Sequence, residues 1–313
     1  MTLCRSAVFG FRLRFCGSVA PCAAPVTRSQ AARWTRIPLA GGGQETLLSE
    51  VGFVLLPLFS TAEACALRLV CREFLAAVSE HPWEDREMVI QGSIAAWRAC
   101  FPCARCANVS KFDFDGEVEL RAAPVVDADF VHFEGLRELY MAGCEDVTDA
   151  AFAHLRGLHA LDMICCSQRA ITDVAFAHLT GIQRLSIAGC GQATISDAAF
   201  AHLRGIQVLN MGNCRQITDA AFVHLRGIHT LYMYTCPQPD ITDAAFVHLR
   251  GIHTLVMNGC YQATITGASL LHLKGVRVLS MASCNPAQTI AARSLGLPVA
   301  DLFGRPILSA PLP

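Results

Sequence analysis

Three cysteines at Cys100-x-x-Cys103-x-x-Cys106 form a compact thiol cluster of the type that metal or redox chemistry uses. A structural zinc ion takes four ligands, commonly in two separated pairs. No second pair lies near these three, so zinc and redox chemistry are not expected of them. Seven histidines offer the other candidate. His132, His154, His178, His202, His224, His248 and His272 recur in register, and imidazole is a common metal ligand. Neighbouring helices in a stack sit about 10 Å apart, too far for two such side chains to share one ion with bonds near 2 Å. The chain carries no glycine-rich phosphate loop, nucleophile elbow or HExxH. No metal or cofactor is expected, and the sequence does not read as an enzyme.

The elements that carry these residues follow from composition and periodicity. Of 313 residues, 53% are hydrophobic. The candidate apolar run at 51–59 is far short of the roughly 20 residues a membrane helix needs, so the apolar excess belongs to a core. The formal charge of −1 comes from 25 basic and 26 acidic residues. The basic residues read as scattered, about one arginine per repeat, which argues against a nucleic-acid partner. Sixteen cysteines in so long a chain do not read as a disulfide framework. Seven of them hold one fixed place in a repeat, which points to packing, reduced thiols and a cytoplasmic or nuclear location.

Residues 1–44 contain arginines but no Asp, Glu or Lys, and read as a disordered leader. A mitochondrial transit peptide shares that composition. Residues 45–90 space their apolar side chains at three- and four-residue steps, the pattern of short amphipathic helices packed together. Residues 91–124 read as a helical connector and N-terminal cap. Residues 286–313 leave the repeat register and read as a partial cap followed by a proline-rich tail.

Between them, residues 125–285 are periodic. Leu139-x-Met141-x-x-Cys144 returns at Leu161/Met163/Cys166, Leu185/Ile187/Cys190, Leu209/Met211/Cys214, Leu231/Met233/Cys236, Leu255/Met257/Cys260 and Leu279/Met281/Cys284. The steps are 22, 24, 24, 22, 24 and 24 residues. The alternating apolar residues predict a short strand with one buried face. The cysteine suits the turn out of the strand, where its thiol would donate to a backbone carbonyl. The stretch Ile-Thr-Asp-Ala-Ala-Phe-x-His-Leu-Arg-Gly-Ile, complete at 217–228, predicts a short helix. Thr218 or Asp219 caps its start, Phe222 and Leu225 face the core, and Arg226-Gly227 ends it. One such unit cannot bury its own faces; stacked units share a core.

These seven copies resemble the cysteine-containing subclass of the leucine-rich-repeat family. The resemblance covers about half the chain. It implies an α/β curved solenoid, with parallel strands on the concave side and short helices on the convex side. The strand positions between the buried residues differ from copy to copy, as a binding face requires. The candidate partner-binding residues are Glu138, Tyr140, Asp162, Arg184, Ser186, Asn210, Tyr232, Tyr234, Val256 and Asn258. Three of the four tyrosines lie among them, and tyrosine favours interfaces. An unknown protein target is expected.

The module before the repeats reads Leu48-Ser49-Glu50-Val51, Leu55, Leu58-Phe59, then Val70-Cys71-Arg72-Glu73-Phe74, closing with Pro82-Trp83. It resembles an F-box, a small all-α module. That resemblance implies docking to a Skp-family adaptor of a cullin-RING ubiquitin ligase, with the solenoid holding the ligase substrate. Carried over by position, Leu48, Glu50, Val51, Leu55, Leu58, Val70, Cys71 and Arg72 would contact the adaptor. A standalone interaction scaffold without a ligase is the alternative.

Overall fold

A computed structural model describes residues 72–84, 89–112 and 123–300, together with residues 56, 63, 64, 68 and 121. The chain divides into two compact units that part between Asn108 and Val109.

In the first unit, helix α1 spans Arg72–Glu80 and helix α2 spans Ile94–Cys100. Ser93 starts α2 by accepting a hydrogen bond from the Ala96 amide. A small core gathers Leu56, Ala64, Val78, Trp83, Phe101 and Ala104. Trp83 is its centre: the indole N–H donates to the Val78 carbonyl over 2.8 Å, and its ring meets Phe101 edge-on. That hydrogen bond lets a large ring with a polar tip be fully enclosed. The segment expected to be a helical connector departs from that reading after α2. Cys106–Asn108 is a strand, β1, and Ile90 donates to the Asn108 carbonyl over 2.8 Å. The β-branched Val89 bridges Asn108 in parallel, and Ile90 beside it is buried.

The second unit is a stack of strand–turn–helix repeats. Its strands are β2 (Glu138–Tyr140), β3 (Ala160–Asp162), β4 (Arg184–Ser186), β5 (Val208–Asn210), β6 (Thr230–Tyr232), β7 (Thr254–Val256), β8 (Val278–Ser280) and β9 (Val299–Ala300). They pair in parallel and in chain order, with the central leucines in register from Leu139 to Leu279. Each leucine is enclosed, as are the Met or Ile two residues on and the phenylalanines of the helical segments. Removing one of those buried rings costs about 3–5 kcal/mol.

The helical segments are short. Asp219–Phe222 is a single α-helical turn that tightens into a 3-10 turn at Val223–Leu225, while Asp197–Leu203 is 3-10 throughout. Glycine ends each one at positive φ, as at Gly227 (φ +84°). Strands stack about 4.8 Å apart and helices need more room, so the strands take the inside of the bend.

Three ladders of polar side chains stitch one repeat to the next. From Thr148 onward, the N-capping Thr or Ser of each repeat's helical segment accepts from an amide in its own first turn, as Thr218 does from Ala220. Its own backbone N–H and hydroxyl both donate to the Asp of the preceding repeat. The pairs are Asp127–Thr148, Asp149–Thr172, Asp173–Ser196, Asp197–Thr218, Asp219–Thr242 and Asp243–Thr266. Backbone distances are 2.6–2.9 Å. Hydroxyl distances are 2.5–2.7 Å. Hydrogen bonds to a charged acceptor are the strong ones.

A second ladder runs through glutamine. Gln168, Gln192, Gln216, Gln238 and Gln262 each donate to the carbonyl of the preceding repeat's cysteine over 3.0–3.1 Å. Gln288 closes the row on Gln262 and Ile265. The third ladder is the cysteine row. From Cys144 to Cys284, each thiol donates to a carbonyl one strand back over 3.0–3.5 Å.

After the last repeat, a helix at Pro286–Ser294 begins with Asn285 as its cap and Pro286 in its first turn, and leads to β9.

Candidate partner-binding face of the strands

The alternation of a β-strand decides what this face contains. In each repeat the residues before, between and after the two buried strand residues turn away from the core. All ten of the expected partner-binding residues are at least partly exposed: Glu138, Tyr140, Asp162, Arg184, Ser186, Asn210, Tyr232, Tyr234, Val256 and Asn258. Parallel pairing brings Tyr140, Asp162, Ser186, Asn210, Tyr232 and Val256 into one row across six strands.

Four other outward positions are covered rather than open: Ala160, Ala188, Gly212 and Ser280 are buried. Two of these follow from larger neighbours reaching across a small residue. Glu138, Ala160 and Arg184 are successive partners across β2, β3 and β4. The Arg184 guanidinium pairs with the Glu138 carboxylate, spanning the alanine between them. The Tyr140 hydroxyl donates to the same carboxylate over 2.9 Å. Gly212 lies under Tyr234, and a Cβ there would come within 2.3 Å of the phenol ring. Tyr234 is therefore partly a packing residue, which the pattern of alternation alone does not reveal.

The polar residues of the face also brace the turns leaving the strands. The Asp162 carboxylate accepts from the Ile164 amide over 3.1 Å, and the Asn210 side chain from the Gly212 amide over 3.2 Å. Asn258 accepts from both the Ser280 hydroxyl and the Ala282 amide at 2.8 Å. Those turns place one residue per repeat in the left-handed region. Gly143, Gly189 and Gly259 fill that place in three repeats; Cys165, Asn213, Thr235 and Ser283 fill it in the others.

The face is electrostatically divided. The charged residues Glu138, Asp162 and Arg184 stand on β2 to β4. From β5 to β8 the outward residues are uncharged: Val208, Asn210, Thr230, Tyr232, Thr254, Val256 and Val278 among them. Burial raises the Tyr232 hydroxyl above its ordinary value and pushes Tyr234 up to about 12, with a hydrogen bond from Asn210 acting the other way. Both remain neutral phenols that offer a ring and a hydroxyl together.

The cysteine row serves packing. Burial raises the thiols of Cys166, Cys190 and Cys260 well above the usual range. The expected donation to a backbone carbonyl is present in every repeat. No group of three metal-ligating side chains comes together among the described residues. Of the register histidines, His154 pairs with Glu134 at 2.7 Å. His248 and His272 instead meet Arg226 and Arg250. In the thiol cluster Cys100 is half-buried, Cys103 exposed and Cys106 buried.

Of the residues expected to contact an adaptor, Leu48, Glu50, Val51, Leu55, Leu58, Val70 and Cys71 lie outside the described residues. Arg72 is exposed at the start of α1. Among the described residues no helix is long and apolar enough to cross a membrane.

The sequence reading missed the aspartate and glutamine ladders, although their signal was in the register. An Asp follows the capping Thr or Ser in five consecutive repeats, and a Gln stands two or so residues after the cysteine in most of them.

No protein-family model matches the chain, and no curated protein is similar to it. Among solved structures, the crystal structure of a TLR13–ssRNA13 complex is similar with a TM-score of 0.40 and 13% identity. The match covers 64% of this chain and 36% of that one, so this chain spans about a third of that chain's length.

Proposed function

We propose that the protein is a leucine-rich-repeat interaction scaffold that holds a protein partner on its strand face. One observation carries this: a nearly invariant buried frame of Leu, Met, Cys and Phe supports a set of outward strand residues that changes from repeat to repeat. The uncharged stretch around Tyr232 and Val256 suits a largely apolar protein surface, and Glu138, Asp162 and Arg184 suit a polar rim beside it.

The finer reading is that the scaffold is the substrate-recognition subunit of a Skp-cullin-F-box type ubiquitin ligase. Support for it comes from the sequence of the N-terminal module: Leu48, Glu50, Val51, Leu55 and Leu58, then Val70-Cys71-Arg72 and Pro82-Trp83. In that role the protein makes and breaks no bonds. It raises the effective concentration of a target's lysines near a ligase held elsewhere in the complex, in the cytoplasm or nucleus.

A pull-down with a purified Skp-family adaptor tests the finer reading. Capture by the full chain that is lost on changing Leu55 and Leu58 to Asp supports the receptor. Absence of capture leaves the scaffold without a ligase.

A further inference from the structure

One arginine per repeat looks scattered along the sequence, yet the repeat gathers these side chains into a line. The residue that ends each helical segment is Arg156, Thr180, Arg204, Arg226, Arg250 and Lys274 in successive repeats, and all are exposed. From Arg204 onward the row is an unbroken run of four cations. Two of them meet imidazoles. Arg226 Nε donates to His248 Nδ1 over 3.2 Å, and Arg250 reaches His272 Nδ1 at 3.4 Å. The repeat aspartates sit at the other end of each helical segment, each taken up by the next repeat's Thr or Ser.

A second row runs beside the first. Three residues before each member of that row stands Ala153, Ala177, Ala201, Val223, Val247 or Leu271, all exposed. Positions three apart on a helical turn are neighbours. The row changes from Ala to Val, Val and Leu beside the last three of the four continuous cations. Val223, Val247 and Leu271 are 45%, 40% and 51% exposed, large aliphatic side chains left in water beside unneutralised positive charge.

We propose that this ridge, from Arg204 to Lys274 with Val223, Val247 and Leu271, docks an extended acidic protein segment studded with aliphatic residues. Charge complementarity selects the acid, because four cations in line have no acidic neighbour paired with them among the hydrogen bonds and ion pairs described. The aliphatic row selects a peptide over a single-stranded nucleic acid. Single-strand binders stack bases on aromatic platforms; the flanking row here is aliphatic, and the nearby imidazoles of His248 and His272 are taken up against Arg226 and Arg250. An extended chain places alternate side chains about 6.8 Å apart, a spacing between that of strands and that of helices in a stack. Acids at every second residue therefore meet about one cation per repeat. The ridge is a second surface, separate from the strand face and independent of whether that face binds a target.

The test uses the full chain and a fluorescein-labelled peptide of about twelve residues alternating Glu with Leu and Ser, long enough at ~3.4 Å per residue to cross four repeats. Anisotropy is read at low and high salt. The acidic peptide is expected to bind, to weaken about tenfold as salt shortens the screening length to a few ångströms, and to lose about tenfold when Glu is replaced by Gln. The triple variant Arg226→Glu, Arg250→Glu, Lys274→Glu is expected to lose binding at least about tenfold. Arg169→Glu with Arg215→Glu, also exposed but off the ridge, stays within about twofold. Should reversal of three charges disturb folding by circular dichroism, the Gln versions of the same residues carry the test. Equal binding of the Gln peptide overturns the proposal, as does equal loss in the off-ridge variant. So does binding of an oligouridylate of matched charge as tight as the peptide's.

Discussion

The carboxylate of Asp219 holds both the backbone N–H and the hydroxyl of Thr242, one repeat further on, at 2.8 and 2.6 Å. A single side chain thus satisfies an orphan amide at the next helical start while fixing the threonine that caps it. Asp219→Ala is expected to cost about 1.5–3 kcal/mol, the range for hydrogen bonds to a charged group. Asp240→Ala, at an exposed side chain in the loop between the same repeats, should change stability by less than about 0.5 kcal/mol. Chemical denaturation of both variants checks this; equal loss would mean the carboxylate of Asp219 matters only as surface charge.

The two tyrosines at the centre of the strand face should separate. Tyr234 roofs Gly212, so Tyr234→Ala is expected to cost about 2–3 kcal/mol through lost packing. Gly212→Ala should cost about 1–3 kcal/mol by forcing the ring aside. Tyr232 stands between Asn210 and Val256 and roofs no described glycine, and Tyr232→Ala should cost under about 1 kcal/mol. Thermal denaturation of the three variants decides it, and a Tyr232 loss as large as that of Tyr234 would remove Tyr232 from the list of free contact residues.

Thr235 adopts φ +55°, a conformation that costs an L-residue roughly 1–2 kcal/mol. Three other repeats place glycine at that turn. Thr235→Gly is therefore expected to be neutral or to stabilise by up to about 1 kcal/mol, since relief of strain exceeds the entropy that glycine adds to the unfolded chain. Denaturant midpoints of the variant and parent check the sign; clear destabilisation would show that the threonine side chain contributes more than its backbone costs.

Alkali should loosen the stack through its thiols. Burial raises Cys236 and Cys284 from 9.0 to about 11 in the folded chain. The unfolded chain releases these protons first, so their contribution is intact below about pH 9 and is lost as pH rises toward 11. Cys236→Ala should flatten that part of the stability profile by an amount on the order of 2 kcal/mol, from the energy equivalent of a pKa shift. Denaturation midpoints from pH 8 to 11 are the measurement, and parallel profiles for variant and parent would rule the thiol out.

The repeat period, the buried leucines, the capping threonines, the cysteine turns and the outward direction of the ten face positions were all legible in the sequence. Each depends on local alternation or helical spacing. What escaped the reading depends on the neighbouring repeat. Asp219 looks like a helix-dipole residue until Thr242 is placed beside it, and Gln238 looks like a loop residue until its amide is seen on the Cys214 carbonyl. Tyr234 looks fully open until its ring is laid on Gly212. The strand Cys106–Asn108 was hidden for another reason: its short sequence, Cys-Ala-Asn, has no strong preference for either state.

Gly267 stands where earlier repeats carry the bridging aspartate, so the rungs stop at Asp243–Thr266. Each of these aspartate rungs joins only adjacent coils, like the teeth of a zip, and of the three ladders the last coil keeps only the glutamine and cysteine rungs. A pull on the C-terminus should therefore peel the last coil first and release the rest in successive steps. A partner lying across several strands would splint those steps together, so a loaded molecule should give way later and all at once.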